Sequence, residues 1–387
     1  MAGKRTISDI ARLAGVSKTT VSRVLNHKPD VDTTTRERIL RIVEEEGFIP
    51  SITASGLAAG RSRLIGVLIP SFTWPFMGDV MRGAADVIAD TPYELILYSI
   101  SETTREKDKS ELINRILATQ LTAGVLAIFP GLLAKYVARL HTPDFPVVMI
   151  DDQELPPNIP WVGADNQGGA YAAVRHLLQL GHRRIAHIQG PTRYLCVRER
   201  YQGYAQALRE AGLVPDPELV LEGDFHEVGG QQAARKLFAL PPDRRPTAIF
   251  AGNDLMAYGV LNAADEYGLH IPRDIALVGF DDISSTTRIR PALTTVRQPF
   301  AEMGQQGIKL LLSSLGNNHH SGTAYGQGGL NFHGLPSSTL FGSRGIETTH
   351  WADDTMPARI QLATSLVVRA SCGSPNYLAT PLPEVSL

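Results

Sequence analysis

The chain has 387 residues, 43% apolar and 20% charged, an ordinary globular composition that excludes a collagenous or low-complexity protein. Cys196 and Cys372 are far apart in sequence and read as reduced cytosolic thiols; no run approaches the ~18 apolar residues of a membrane span, and the first twenty residues lack a secretion signal, so the expected location is the cytoplasm, at the nucleoid. The net charge of −2 is uneven: residues 1–63 carry eleven Lys/Arg against seven Asp/Glu and the remainder is acidic, so a polyanion is expected to meet the head alone.

The head, 1–50, reads as three short helices. Thr6-Ile7-Ser8-Asp9 has the pattern of a capping box, with Ile7, Ile10, Leu13 and Ala14 at helical spacing. Ala14-Gly15-Val16-Ser17 is a tight turn in which Gly15 can take positive φ and Ser17 can cap a helix over 18–26 that buries Val21, Val24 and Leu25. A third helix starts near Thr34 and buries Ile39, Ile42 and Val43 before Gly47 stops it. In such a helix-turn-helix the second helix enters the major groove, and Lys18, Thr19, Thr20, Ser22, Arg23 and Asn26 supply its polar face. Arg can bond bidentately to guanine, and Thr can meet phosphate or a thymine methyl. The plain alternative is a small bundle with a solvated face.

Residues 51–63 form a polar, small-residue linker. From 64 onward short apolar runs (64–69, 95–98, 125–129, 147–150, 185–188, 248–251 and 276–280) alternate with helical segments near 76–89, 107–120, 132–140, 167–180, 198–211, 228–239, 254–267 and 301–315. This alternation predicts an α/β body of two doubly wound, parallel-sheet lobes. The expected division gives lobe 1 about 64–163 and 294–315, and lobe 2 about 164–293 and 359–372. Ligands of such sheets sit at the carboxyl ends of the strands, so the expected pocket lies between the lobes. Residues 316–357 have little periodicity and read as a loop insert; 366–368 reads as a returning strand, and 373–387 as a tail without leucine heptads. The insert's histidines, His319, His320, His333 and His350, lack a ligand framework, so neither a metal nor a cofactor is expected.

Sugars are held by aromatic faces and by planar polar groups on hydroxyl pairs. The body offers both near its strand ends: Trp74 and Phe76 after the first strand, Tyr194 and Arg200 after Gly190-Pro191, Phe225 after Glu222-Gly223-Asp224, then Asn253, Asp281 and Phe300. Each has a plainer reading: Phe225 as core, Arg200 as an interlobe ion pair, Asp281 as a cap, while Asp282 reads as structural and Asp165 as a helix cap.

Ala14-Gly15-Val16-Ser17-Lys18-Thr19-Thr20-Val21-Ser22-Arg23-Val24-Leu25-Asn26 resembles the signature of the LacI/GalR family of bacterial repressors. Gly47-Phe48-Ile49-Pro50, Leu180-Gly181-His182-Arg183-Arg184-Ile185, Gly252-Asn253-Asp254, Gly279-Phe280-Asp281-Asp282 and Pro291-Ala292-Leu293-Thr294-Thr295-Val296 continue the resemblance in order. It implies a body like the type I periplasmic binding proteins, and a homodimer whose heads read a pseudo-palindromic operator DNA. It also implies a hinge helix at about 51–60 that forms on DNA, with Leu57 wedged into a minor-groove step; Gly56 makes that helix less stable. By the same resemblance Arg200, Asn253 and Asp281 hydrogen-bond a small effector, a mono- or oligosaccharide, and Phe225 stacks on it. Trp74 departs from the small or polar residue usual at its position and favours a larger or more apolar effector. No catalytic residues are expected, since no G-x-x-x-x-G-K-[ST], G-x-S-x-G or H-E-x-x-H motif is present. A pure solute-binding protein and a regulator governed by a protein partner are the competing readings.

Overall fold

The apolar runs of the body fold into two parallel-dominated sheets, seen in a computed structural model that describes residues 5–25, 28–48, 62–69, 72–99, 106–119, 121–129, 131, 134–151, 158–317 and 357–374. The three helices of the head are α1 (Ile7–Ala14), α2 (Lys18–Leu25) and α3 (Thr33–Glu45). Thr6 and Asp9 close a reciprocal capping box on α1, and Gly15 ends it at φ 64°, where a side chain would be strained. Ser17 Oγ then accepts from the Thr20 amide at 3.1 Å and opens α2. The cap of α3 is Asp32, which accepts from the Thr35 amide, so this helix starts slightly earlier than its sequence suggests. Ile10, Val21, Val24 and Ile39 are fully buried between the three helices, whereas Ile42 and Val43 are only partly covered. A unit this small has little interior to offer.

The first sheet comprises β1 (Leu64–Ile69), β2 (Glu94–Ser99), β3 (Gly124–Ile128), β4 (Val147–Ile150), β5 (Trp161–Ala164) and β11 (Arg359–Leu362), in the order β11-β5-β4-β3-β1-β2, all parallel. Side chains alternate between its faces. Leu126 and Ile128 pack under α4 (Met77–Ile88) and α11 (Phe300–Asn317), and Val125 and Ala127 under α5 (Glu106–Thr119) and the short α6 (Ala134–Ala138).

The second sheet has the order β12-β10-β9-β8-β6-β7. Its parallel strands are β6 (Ile185–Gln189), β7 (Val220–Glu222), β8 (Ala248–Ala251), β9 (Ala276–Asp281) and β10 (Thr294–Arg297), with antiparallel β12 (Ser365–Val367) at one edge. Here α7 (Asn166–Gln179) and α8 (Leu195–Glu210) cover one face; α9 (Glu227–Phe238) and α10 (Asp254–Glu266) cover the other. Asp165 caps α7 through the Gly168 amide, as its position suggests.

The sheets divide the chain differently from the expected lobe boundaries. The sequence pattern has residues 294–297 opening the return of lobe 1, yet β10 pairs with β9 in the second sheet. It has residues 359–362 in lobe 2, yet β11 pairs with β5 in the first. The chain therefore passes between sheets at three points: after β5, between β10 and α11, and between β11 and β12. Each crossing takes only one or two residues, too short to register as a linker. The proposed hinge over 51–60, including Gly56 and Leu57, and most of the insert lie outside the described residues.

Candidate functional site

On α2 the structure exposes Lys18, Thr19 and Arg23, and half-buries Thr20 and Ser22, over the buried pair Val21 and Val24. Thr20 Oγ1 lies 2.9 Å from Ser17 Oγ and belongs partly to the cap. Arg23 is ion-paired with Asp30, an exposed pair of small energetic weight that a phosphate or a base edge can displace. Asn26 lies outside the described residues.

In the body, the predicted site residues fall into two groups at the carboxyl ends of the two sheets. The first is aromatic. Phe76 stacks on Phe300 with centroids 4.6 Å apart and planes at 10°, and Trp74 sits 5.6 Å from Phe76. Phe129, which the sequence pattern places inside a strand, joins both at 5.1 and 5.7 Å. It follows the last residue of β3 and turns out of the sheet at φ 47°. Trp74, Phe76 and Phe129 remain half-exposed while Phe300 is buried behind them, so the cluster offers an apolar wall.

The second group is polar and almost fully buried. Arg200 on α8 is 5% exposed. Its Nε donates to Asn166 Oδ1 at 3.0 Å, its Nη1 to the Gly252 carbonyl at 2.5 Å, and its guanidinium lies 3.8 Å from the centre of the Phe280 ring. Asp281, ending β9, stands 3.8 Å from Arg200 Nη2 and accepts from Gln298 Nε2 at 2.7 Å. Burial pushes the Asp281 carboxyl up to about 6, with Arg200 and Gln298 pulling the other way. Gln298, 7% exposed, has no partner for its Oε1 among the described residues. Asn253 is tied up locally: its Oδ1 caps α10 at the Met256 amide and its Nδ2 donates to the Phe225 carbonyl. Phe225 meets Tyr194 edge-on at 5.5 Å, while Arg193 lies over the outer Tyr194 face at 4.8 Å.

Neighbouring acids extend this group. Glu199 accepts from Asn166 Nδ2 at 3.1 Å; burial raises its carboxyl to about 7, against that hydrogen bond, and the charge of Asp151 at the end of β4 adds to the rise. Buried Asp254 is raised well above the carboxylate range by burial and by Asp281, although Thr295 Oγ1 and the Ile283 amide both donate to it. Asp282 is different. Burial raises it, but Arg369 and Arg297 outweigh that and hold it low, which makes it a strap between β9, β10 and the C-terminal segment. Burial pushes the Cys196 thiol up to about 12, so it is inert.

Backbone conformation marks the same region. The described non-glycine residues with positive φ are Phe129, Asp151, Phe225, Asp281 and Asp282, and all five lie at or just beyond the carboxyl ends of β3, β4, β7 and β9. Such strain is retained where surrounding structure enforces it, and it clusters at ligand sites. Gly190 allows part of it: a Cβ there would come within 2.3 Å of the Phe225 ring. Among the described residues no cluster of three metal-ligating side chains occurs, and no helix is long and apolar enough to cross a membrane.

A helical head on two doubly wound sheets, with buried polar and aromatic groups at their strand ends, defines a DNA-binding protein with a ligand-binding body. Comparison with known proteins agrees. Residues 6–51 match the family described as bacterial regulatory proteins of the lacI family, and 174–325 match the periplasmic binding protein-like domain. Catabolite control protein A of Priestia megaterium is 36% identical over 308 residues, 79% of this chain and 91% of that protein. Among solved structures, the lac repressor dimer bound to operator and the anti-inducer ONPF superposes with a TM-score of 0.76 at 25% identity, covering 96% of this chain and 99% of that one. The transcriptional regulator CelR in complex with cellobiose gives 0.62 at 28% identity, covering 95% and 99%. The chain belongs to the LacI family of DNA-binding transcriptional regulators, not to an enzyme family.

Proposed function

We propose that this regulator is a homodimeric repressor whose operator affinity is set by a sugar, a mono- or oligosaccharide, held between the two sheets. The observation that carries the reading is the pairing of a strained, buried polar set with an apolar wall. Arg200, Asp281 and Gln298 present a charged fork, a carboxylate and an acceptor without a partner among the described residues; Trp74, Phe76 and Phe129 present ring faces. Sugars require both: paired hydroxyls for planar polar groups and an apolar ring surface for aromatic faces. A sugar hydroxyl donating to Gln298 Oε1 would relieve a buried unsatisfied acceptor, which costs about 1–3 kcal/mol. CelR, a structural relative, is in complex with cellobiose, and the ring faces of Trp74, Phe76 and Phe129 offer an apolar surface of the kind a sugar ring stacks on. In this reading Phe225 and Tyr194 form the opposing stack, Asn253 sets the Phe225 carbonyl, and Phe300 backs Phe76. Lys18, Thr19, Thr20, Ser22, Arg23 and Asn26 meet DNA, and Leu57 wedges the minor groove of a pseudo-palindromic site.

The effector can act only through unequal affinity for the DNA-competent and incompetent states. Fluorescence anisotropy with fragments of the gene's own upstream region, over a salt series and a sugar panel that includes cellobiose, tests both halves. The expected result is sequence-selective, salt-sensitive binding that one sugar changes at least tenfold, with Trp74 emission responding to the same sugar. Trp161 is buried in the first sheet and Trp351 lies outside the described residues, so in a Trp351→Phe background a Trp74→Phe variant should lose most of that response. Tight operator binding that no sugar alters would refute the effector reading and leave the DNA reading standing.

A further inference from the structure

The strands β9 and β10 end side by side, and the dipeptides at their ends are cross-linked twice. Asp281-Asp282 stands against Arg297-Gln298, with Asp281 and Arg297 in register. Gln298 Nε2 donates to Asp281 Oδ1 at 2.7 Å, and the Gln298 amide donates to the Asp281 carbonyl at 3.3 Å. The neighbours of these two residues form the second link, in which Arg297 Nε donates to Asp282 Oδ2 at 2.7 Å. One link thus holds two residues of the candidate effector set, and the other joins the residues next to them in the chain.

Asp282 is also tied to an anchor. Arg369, just beyond β12, donates from Nη2 to Asp282 Oδ1 at 2.6 Å and from Nη1 to the Leu293 carbonyl at 2.7 Å. Thr286 Oγ1 lies 3.1 Å from the same carboxylate oxygen. The Asp282 and Arg369 side chains are 6% and 11% exposed, against 57% for Arg297. An exposed pair has little weight by itself, whereas a buried pair that loses one partner leaves an uncompensated charge. The C-terminal segment does not depend on Asp282 for its place. The Arg369 amide donates to Thr294 Oγ1 at 2.8 Å, and Ser371 Oγ donates to the Leu277 carbonyl at 2.7 Å. A strap that only held this segment would therefore duplicate bonds already made.

The backbone shows what the extra contacts hold in place. Asp281 and Asp282 have φ of 119° and 57°, two successive non-glycine residues at positive φ. Side chains rarely adopt this conformation unless surrounding contacts enforce it. The side-chain contacts of Asp281 are with Gln298 and, at 3.8 Å, Arg200. Those are the groups for which an effector competes, so they cannot by themselves keep the turn fixed while a ligand binds. Asp282 can, because two arginines and Thr286 converge on it away from Arg200. Without that clamp the dipeptide is free to relax towards extended backbone, which would turn Asp281 away from Gln298 and Arg200.

We propose that Asp282 is a positioning residue: with Arg297 and Arg369 it holds Asp281 and Gln298 in the geometry that the effector meets. This rests on the effector reading above, so one arm of the test uses no ligand. Hydrogen exchange of the full chain, read by mass spectrometry, compares peptides over 280–284 and 295–299 with those of β6 and β8. Asp282→Asn keeps the side-chain shape and removes the charge; exchange in the two junction peptides should rise about tenfold, with β6 and β8 unchanged. Calorimetry with cellobiose as probe should show affinity about tenfold weaker, because the site must be re-ordered on binding. Arg297→Gln, at an exposed position, should do the same to a smaller extent, about threefold, and supplies a second arm should Asp282→Asn unfold. The double variant should be no worse than Asp282→Asn alone, since both changes break one interaction. Arg235→Gln, which removes an exposed cation paired with Glu266, should alter neither readout. Unchanged exchange at the junction, faster exchange throughout the sheet, additive losses in the double variant, or unaltered cellobiose affinity despite faster local exchange would each overturn the proposal. A parent that binds no cellobiose would count against the effector reading, and the exchange arm would then decide the clamp by itself.

Discussion

Replacing Gly83 with alanine is expected to destabilise the first lobe, even though alanine is the better helix former. Gly83 lies on α4 where α11 crosses it. A Cβ there would stand 1.8 Å from the Ala301 carbonyl oxygen and 2.6 Å from its carbon. Across the same crossing, a Cβ on Gly304 would stand 2.0 Å from the Val80 carbonyl oxygen. These are backbone atoms that cannot rotate away, and carbon–oxygen contacts close only to about 3.3 Å. The helices would have to part by roughly 1.5 Å. Overpacking of this kind costs about 1–3 kcal/mol, and a clash against backbone belongs at the upper end; the gain in helix propensity is ~1 kcal/mol. The net expectation is a loss of about 2 kcal/mol, or a melting point lower by roughly 4–8 °C. Gly78 is the internal control. It sits on the same helix, and a Cβ added to it would meet nothing within 4 Å, so Gly78→Ala should be neutral or stabilising. The crossing also places the aromatic wall, because α4 begins just after Phe76 and α11 begins with Phe300. Urea and thermal unfolding of both variants, followed by the Trp74 response to effector, measure the two consequences. The reasoning fails if Gly83→Ala is as stable as the parent, or if Gly78→Ala loses as much.

Three further outcomes follow from the same geometry. His187, sandwiched between Tyr204 and Phe250, is held by burial at a pKa of about 4 against an ordinary 6.5. The unfolded chain therefore binds the extra proton, and the stability present above pH 6.5 is lost as pH falls towards 4, by on the order of 3 kcal/mol in full. His187→Phe should flatten the slope of urea stability against pH across that window, and an unchanged slope would remove the argument. Ser17→Ala deletes the cap of α2 and should cost the head about 1 kcal/mol. Operator affinity should fall, while effector titration of the body stays the same. Effector affinity should also decline as pH drops below about 6, because a sugar hydroxyl donating to Asp281 needs its carboxylate. Asp281→Asn should abolish that dependence, with Glu199→Gln run in parallel because Glu199 titrates near 7; a pH-independent affinity in the parent would exclude Asp281 as the acceptor.

Much of the architecture is legible in the residues. Thr6, Gly15 and Ser17 announce the helix-turn-helix because caps and left-handed turns depend on one or two neighbouring side chains. Runs such as 64–69 and 147–150 announce buried parallel strands because they are apolar on both faces. The short strands β5, β7 and β11 carry no such signal. Trp161–Ala164, Val220–Glu222 and Arg359–Leu362 are short and, unlike 147–150, broken by a glycine or by polar residues, and their pairing partners are set by the fold, not by local pattern. Phe129 is hidden for a related reason: it continues the apolar run of β3, and only the turn of its backbone separates it from the strand. Gln298 carries no local signal at all, since its importance rests on the carboxylate that β9 brings beside it.

By itself, the sequence determined what depends on periodicity and on near neighbours: the helical head, the strand–helix alternation, the family signature and the residue types gathered near strand ends. Tertiary structure alone decided which sheet each late segment joins, which aromatics form one wall, and how Arg200, Asp281 and Gln298 share their hydrogen bonds. The reason is physical: burial, pairing and pKa are properties of contacts across the fold, and a residue's own position in the chain does not encode who its distant neighbours will be.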